Sequence, residues 1–245
     1  MFNFMDIPIL YEDENILALN KPAGVAVHKD GYNSEEETVA DWVLAKYPAL
    51  VEVGEPMTAQ NGTVIAKPGI VHRLDKDTSG VLLVAKNQST YLALKKQFQE
   101  HSIKKIYRLL VYGSFSADKM EGTIDLSIGR SRKDSRRRLA GKGASSVLRE
   151  AVTNYRVLEN FAEHAYAEAR PETGRTHQIR VHFKAINHPI VCDSLYAPQM
   201  TCLPGLERQA LHAMSIEFSL LGKSIRLEAS LPTDFQTALA SLKTL

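Results

Sequence analysis

Gly80 introduces Val81-Leu82-Leu83-Val84-Ala85, five apolar residues with no polar residue among them. A run like this has no face to offer water, so it reads as a strand buried on both sides. Ile106–Tyr112, closed by Gly113, reads the same way. Asn15–Leu19 is a further strand, ended by Pro22 and Gly24, and Ala151–Leu158 pairs with His164–Ala169 across a turn at Asn160. The last strands form a hairpin turning near Gly222.

Helical spacing appears between these runs. Ser34 and Glu37 form a capping box before Val39, Trp42, Val43 and Tyr47, and Pro48 stops that helix. Ser89 caps a helix with Tyr91, Leu94 and Phe98 on one face. Thr176 caps another, turning Ile179, Phe183 and Ile186 inward, and Thr233 with Gln236 opens the last. Glu52–Gly69 has no periodicity and reads as a loop. Strands and helices mix without regular alternation, which favours an α+β fold over a doubly wound sheet. A single domain spanning 1–245 is the simplest division.

At 245 residues, 44% hydrophobic and 24% charged, the chain can bury a core without metals or disulfides. No apolar run approaches the roughly 18 residues that a membrane helix needs. Met1–Tyr11 has neither a basic leader nor a small-residue cleavage site, so a cytoplasmic monomer away from membranes is expected. Cys192 and Cys202 are too few for a disulfide framework and are expected to be reduced. His182, His188 and His212 lie near them in sequence, but without tightly spaced ligand pairs no metal is expected.

The net charge is only +2, yet it is unevenly distributed. Arg130, Arg132, Lys133, Arg136, Arg137, Arg138 and Lys142 stand against one acid, Asp134. Such a run repels itself unless it is solvated or facing an anion. A solvated hairpin explains it, and so do contacts to the phosphates of a nucleic acid.

Two clusters carry candidate chemistry. His72-Arg73-Leu74-Asp75-Lys76-Asp77-Thr78-Ser79-Gly80 sets two carboxylates among three basic side chains beside a buried strand. Arg170–His182 places Arg175, Thr176 and His177 at a helix N-terminus, where free N–H groups suit an anion, with Arg180 one turn on. Taken alone, each is also explained by a capped turn or helix with a solvated charged face.

Together these clusters resemble the RluA family of RNA pseudouridine synthases. The resemblance rests on HRLDKDTSGVLLVAK at His72–Lys86 and TGRTHQIRVHF at Thr173–Phe183. LNKPAGVAVH at Leu19–His28, KKIYRLLVYG at Lys104–Gly113, HPIVCDSLY at His188–Tyr196 and LHAMSIEF at Leu211–Phe218 support it. It implies a mixed, mainly antiparallel sheet with flanking helices and a catalytic cleft. It also implies that uridines in structured RNA, ribosomal or transfer, are isomerised to pseudouridine. Asp75, not Asp77, matches the catalytic aspartate, Tyr107 the active-site tyrosine, and Arg180 the arginine that pairs with that aspartate. Arg73 matches the residue that fills the gap left by an extruded nucleotide. His72, Arg175 and His177 are expected on the RNA side with the basic run. So few residues precede the motifs that the small S4-type RNA-binding domain of many relatives is expected to be absent.

The reaction breaks the bond from ribose to the ring nitrogen and makes one to a ring carbon, so by stoichiometry no cofactor is needed. A carboxylate can attack covalently, or act as a base and stabilise the separated ring, and the sequence does not distinguish these routes. Tyr107 offers a ring for stacking and a phenol near the carbon that loses its proton. A noncatalytic RNA-binding protein of the same fold would keep the basic run without needing Asp75, Tyr107 and Arg180 together. A small-substrate hydrolase would use His72 and Asp75 but leave the basic run idle.

Overall fold

The computed structural model describes residues 6–29, 36–58, 62, 64–134, 136–141, 144 and 147–244. In chain order the strands and helices are β1 (Ile9–Glu12), β2 (Ile16–Lys21), α1 (Val39–Lys46), β3 (Met57–Thr58), β4 (Val64–Ile65), β5 (Ser79–Ala85) and α2 (Gln88–Gln99). These are followed by β6 (Lys104–Tyr112), β7 (Glu121–Asp125), β8 (Ile128–Arg130), β9 (Arg138–Ala140), β10 (Val152–Asn160) and β11 (His164–Pro171). The chain continues through α3 (Gln178–Ala185), β12 (Leu211–Leu220), β13 (Lys223–Glu228) and α4 (Thr233–Leu242). The fold is α+β and its strand pairs are mainly antiparallel.

Two compact units emerge, Met1–Ile103 with Ser215–Ser230, and Lys104–Met214 with Leu231–Leu245. In the first, the strand order is β1-β2-β5-β12, with β13 on β12. All seven residues of β5 are buried, as an uninterrupted apolar run requires. Val81, Leu83 and Ala85 pack with Ile16, Leu94, Ile216 and Phe218. Each fully buried aliphatic side chain contributes about 1.5–3 kcal/mol over its exposed state, which makes β5 the anchor of this unit. Gly69 crosses β5 so closely that a Cβ would land on the Ala85 carbonyl oxygen, and its φ of +62° suits only glycine well.

In the second unit the order is β12-β6-β11-β10-β7. Leu109, Val111, Ala165, Ala167, Phe183, Ile190 and Phe235 form its fully buried core. Helix α3 contributes Ile179 and Phe183 to this core, as its spacing predicts.

Several local expectations need correction. The capping box on α1 is Thr38 with Asp41, because Thr38 Oγ1 accepts from the Asp41 N–H and the Asp41 carboxylate accepts from the Thr38 N–H. Ser34 lies outside the described residues. Asn87, not Ser89, caps α2, its Oδ1 accepting from the Thr90 N–H at 2.9 Å. His177 in the left-handed conformation, not Thr176, precedes α3, and Pro232 precedes α4 without a side-chain cap. The loop at Glu52–Gly69 contains the small β3–β4 hairpin.

The cysteines also depart from expectation. Cys192 and Cys202 form a disulfide, with Cα atoms 4.7 Å apart and a separation of ten positions in sequence. That Cα distance lies within the range a disulfide spans, and the bond leaves neither thiol to bind a metal.

Candidate active site residues

In the first unit Asp75 is half-buried on a turn immediately before β5. The turn is closed by the Thr78 N–H donating to the Asp75 carbonyl at 3.1 Å. Leu74 on one side and Thr78 and Ser79 on the other are buried, so the chain around Asp75 is anchored at both ends. Beneath it lies Lys21, fully buried at the end of β2. Its Nζ donates to the carbonyls of Pro22 at 2.7 Å, Val25 at 2.8 Å and Lys76 at 2.8 Å. The third of these belongs to the residue that follows Asp75. Sequence reading passed over Lys21, whose only signal was its place in the LNKPAGVAVH stretch.

Asp77 is also half-buried, and Arg73 is exposed. His72 serves the sheet: its Nε2 accepts from the Leu83 N–H at 2.9 Å, and its ring stacks on Phe98 at 4.9 Å between centroids. With Nε2 accepting, a neutral His72 carries its proton on Nδ1. Burial pushes the Lys67 ammonium below its ordinary range, and the neighbouring Arg73 charge adds to that shift.

In the second unit Tyr107 is partly buried on β6, opposite Ala169 of β11. Two residues before it, on the same face of the strand, burial pushes Lys105 down to about 8. On the alternate face, Arg108 pairs with Glu168, which also accepts from Arg170 Nε at 2.6 Å. Burial raises the Glu168 pKa, but Arg170 and Arg108 outweigh that and hold it below the usual carboxylate range.

Four of the candidate basic residues converge on Tyr196. Its hydroxyl accepts from the Arg138 N–H at 2.9 Å and lies 3.0 Å from His177 Nδ1. Arg137 and Arg180 approach its ring at 5.6 and 5.1 Å. The β8–β9 hairpin thus ties the basic run to α3 through Tyr196. Arg130, Arg132, Lys133 and Arg136 point outward and are exposed, with Arg136 paired to Asp134 at 2.9 Å. Arg175 is half-buried, and its Nε donates to the Glu150 carbonyl at 2.9 Å. Lys142 of the run lies outside the described residues. Arg180 is buried and meets Asp193 through two hydrogen bonds, Nε to Oδ2 at 2.7 Å and Nη2 to Oδ1 at 2.9 Å. Asp193 was also missed, although HPIVCDSLY contains it.

Residues 15–185 match the family described as RNA pseudouridylate synthase. An uncharacterized RNA pseudouridine synthase of Synechocystis sp. is 39% identical over 97% of this chain and 69% of that protein. A protein of Xylella fastidiosa named ribosomal large subunit pseudouridine synthase D is 37% identical over 97% of this chain and 70% of its own. The solved structure of human RNA pseudouridylate synthase domain containing 4 superposes with a TM-score of 0.73. It is 24% identical and covers 96% of this chain and 92% of that one, a likeness of fold.

Proposed function

The chain belongs to the RNA pseudouridylate synthase family, and on that footing we propose that it isomerises specific uridines of large-subunit ribosomal RNA, with Asp75 carrying the chemistry. The observation behind this reading is the Asp75 turn. There a half-buried aspartate sits on backbone anchored by buried neighbours and by a buried lysine that donates to the adjoining Lys76 carbonyl. Orientation is where much of a rate advantage resides, and a turn fixed at both ends provides it. The choice of ribosomal RNA draws on the name of the Xylella fastidiosa relative.

Asp75 either attacks the ribose or the ring, or removes a proton from the sugar. The bond from C1′ to N1 breaks, the ring turns, C1′ bonds to C5, C5 loses its proton and N1 takes one up, and any proton removed from the sugar is returned to it. Atoms balance without an oxidant or co-reactant. Tyr107 stacks on the extruded base and helps remove the C5 proton, and Arg180 serves the same reaction. Arg73 fills the vacancy in the RNA stack, where its planar guanidinium can both stack and donate. The exposed Arg130, Arg132, Lys133 and Arg136 follow the RNA backbone. The protein works as a monomer in the cytoplasm.

Single-turnover tritium release from an in vitro large-subunit RNA transcript labelled at uridine C5 tests this. Asp75→Asn should abolish release with RNA affinity held within about threefold, since phosphate contacts dominate binding. Asp77→Asn should keep substantial activity. The reverse pattern removes Asp75 from the mechanism, and release only from bulk transfer RNA moves the substrate.

A further inference from the structure

From the Arg180–Asp193 geometry we infer that Asp193 is a positioning residue that fixes the Arg180 guanidinium for the isomerisation. This rests on the reading above in which Arg180 serves the reaction. The two-point contact with Arg180 fixes both the place and the plane of the guanidinium, as a single hydrogen bond does not. Both partners are almost wholly buried, their side chains 7% and 0% exposed. A buried ion pair is weak support for a fold, because apolar residues of similar volume often do as well. Its presence here is better explained by what it holds in place.

The surroundings of Asp193 carry the argument further. Asp193 Oδ1 also accepts from the Leu195 and Tyr196 N–H groups, each at 3.0 Å. The carboxylate is therefore oriented by its own turn before it meets Arg180. The preceding residue, Cys192, has a φ of +59°, a region that L side chains seldom occupy. It is tied by the disulfide to Cys202, and its N–H donates to the Tyr112 hydroxyl at 3.1 Å. That hydroxyl in turn donates to the Thr201 carbonyl at 2.9 Å. A left-handed cysteine persists only where its neighbours over-determine it, and here the constrained residue abuts the carboxylate that orients Arg180. On the far side, Tyr196 lies against the guanidinium. Such support around a working side chain is what preorganisation requires.

The test is a double-mutant cycle on the full chain, read as the single-turnover rate constant and RNA dissociation constant. Asp193→Asn keeps Oδ1 for the Leu195 and Tyr196 N–H groups but turns an amide toward Arg180 Nε, donor against donor. The rate should fall about 100-fold, the cost of a misplaced catalytic group, with RNA affinity within about threefold. In an Arg180→Lys background the same substitution should cost less than about threefold more, because its route to the reaction is already gone. Equal losses in the two backgrounds, or a wild-type rate for Asp193→Asn, overturn the inference. A wild-type rate for Arg180→Lys instead overturns the role of Arg180 itself.

Removing a buried charge can also unfold a chain, so a second readout leaves residue 193 intact. In protein labelled with 15N-arginine, the Nε–H of Arg180, assigned by its loss in Arg180→Lys, should exchange slowly with water at neutral pH. Rapid exchange there means that Asp193 does not hold it, and the inference fails.

Discussion

Replacing Lys21 by methionine should both destabilise the first unit and slow the reaction. Methionine retains most of the apolar stem, so packing along β2 changes little. The Nζ is lost, and with it the donor that the Pro22, Val25 and Lys76 carbonyls share. A buried acceptor deprived of its partner costs about 1–3 kcal/mol, so three give roughly 3–9 kcal/mol as an upper bound. Releasing a buried charge offsets part of this, and a net loss of about 3–5 kcal/mol is expected. The chain's one tryptophan, Trp42, is buried in the same unit and reports on its unfolding. With a urea slope of about 3 kcal/mol per molar, the fluorescence midpoint should fall by roughly 1–1.7 M. The Lys76 carbonyl adjoins Asp75, so the single-turnover rate should also fall in conditions where the variant is fully folded. A midpoint moved by less than about 0.3 M would refute the accounting, because a buried donor to three acceptors cannot be removed so cheaply.

Gly69→Ala should cost more than about 3 kcal/mol, from a left-handed φ and collision with the Ala85 carbonyl, read on the same fluorescence transition. Reducing Cys192–Cys202 should cost about 2–3 kcal/mol for its ten-residue span and lower the melting temperature by roughly 5–10 °C; an unchanged melt would contradict the bond. Burial depresses the His182 pKa, so its neutral form is favoured on folding. Its contribution is complete above the unfolded value of about 6.5 and is lost as pH falls through the lower folded value, so His182→Gln should flatten the decline in urea midpoint between about pH 7.5 and 5.5. Neutralising Arg130, Arg132 and Lys133 together should lower the slope of log affinity against log salt by about 0.7–0.9 for each lost phosphate contact, and an unchanged slope would make them merely solvated.

The parts of the fold legible in the sequence were those governed by apolar pattern. Val81–Ala85 could be read because burial on both faces leaves no room for polar residues. Helix α3 could be read because Ile179 and Phe183 are one turn apart and both face the core. Helix starts were less legible, since Ser, Thr and Asn recur near every helix and only backbone geometry decides which one caps. At α3 no side chain does so. The disulfide was illegible because a ten-residue separation is compatible with a bond or with two free thiols. At the candidate site the charged residues stood out, but their supports did not. Lys21 and Asp193 look like ordinary surface residues until the fold buries them.

Synthesis from the N-terminus gives the division of the chain a temporal meaning. Met1–Ile103 emerges first, but its unit is completed only by Ser215–Ser230. Until then Val81, Leu83 and Ala85 lack Ile216, Phe218 and Leu220, with which they share a core. At about 5–20 residues per second, the intervening stretch takes roughly 5–20 s to translate. Throughout that interval an apolar strand waits beside an unclaimed edge, the condition under which nascent chains pair with one another. Translation speed across Lys104–Met214, more than the stability of the finished protein, therefore bears on how much of this chain matures without a chaperone.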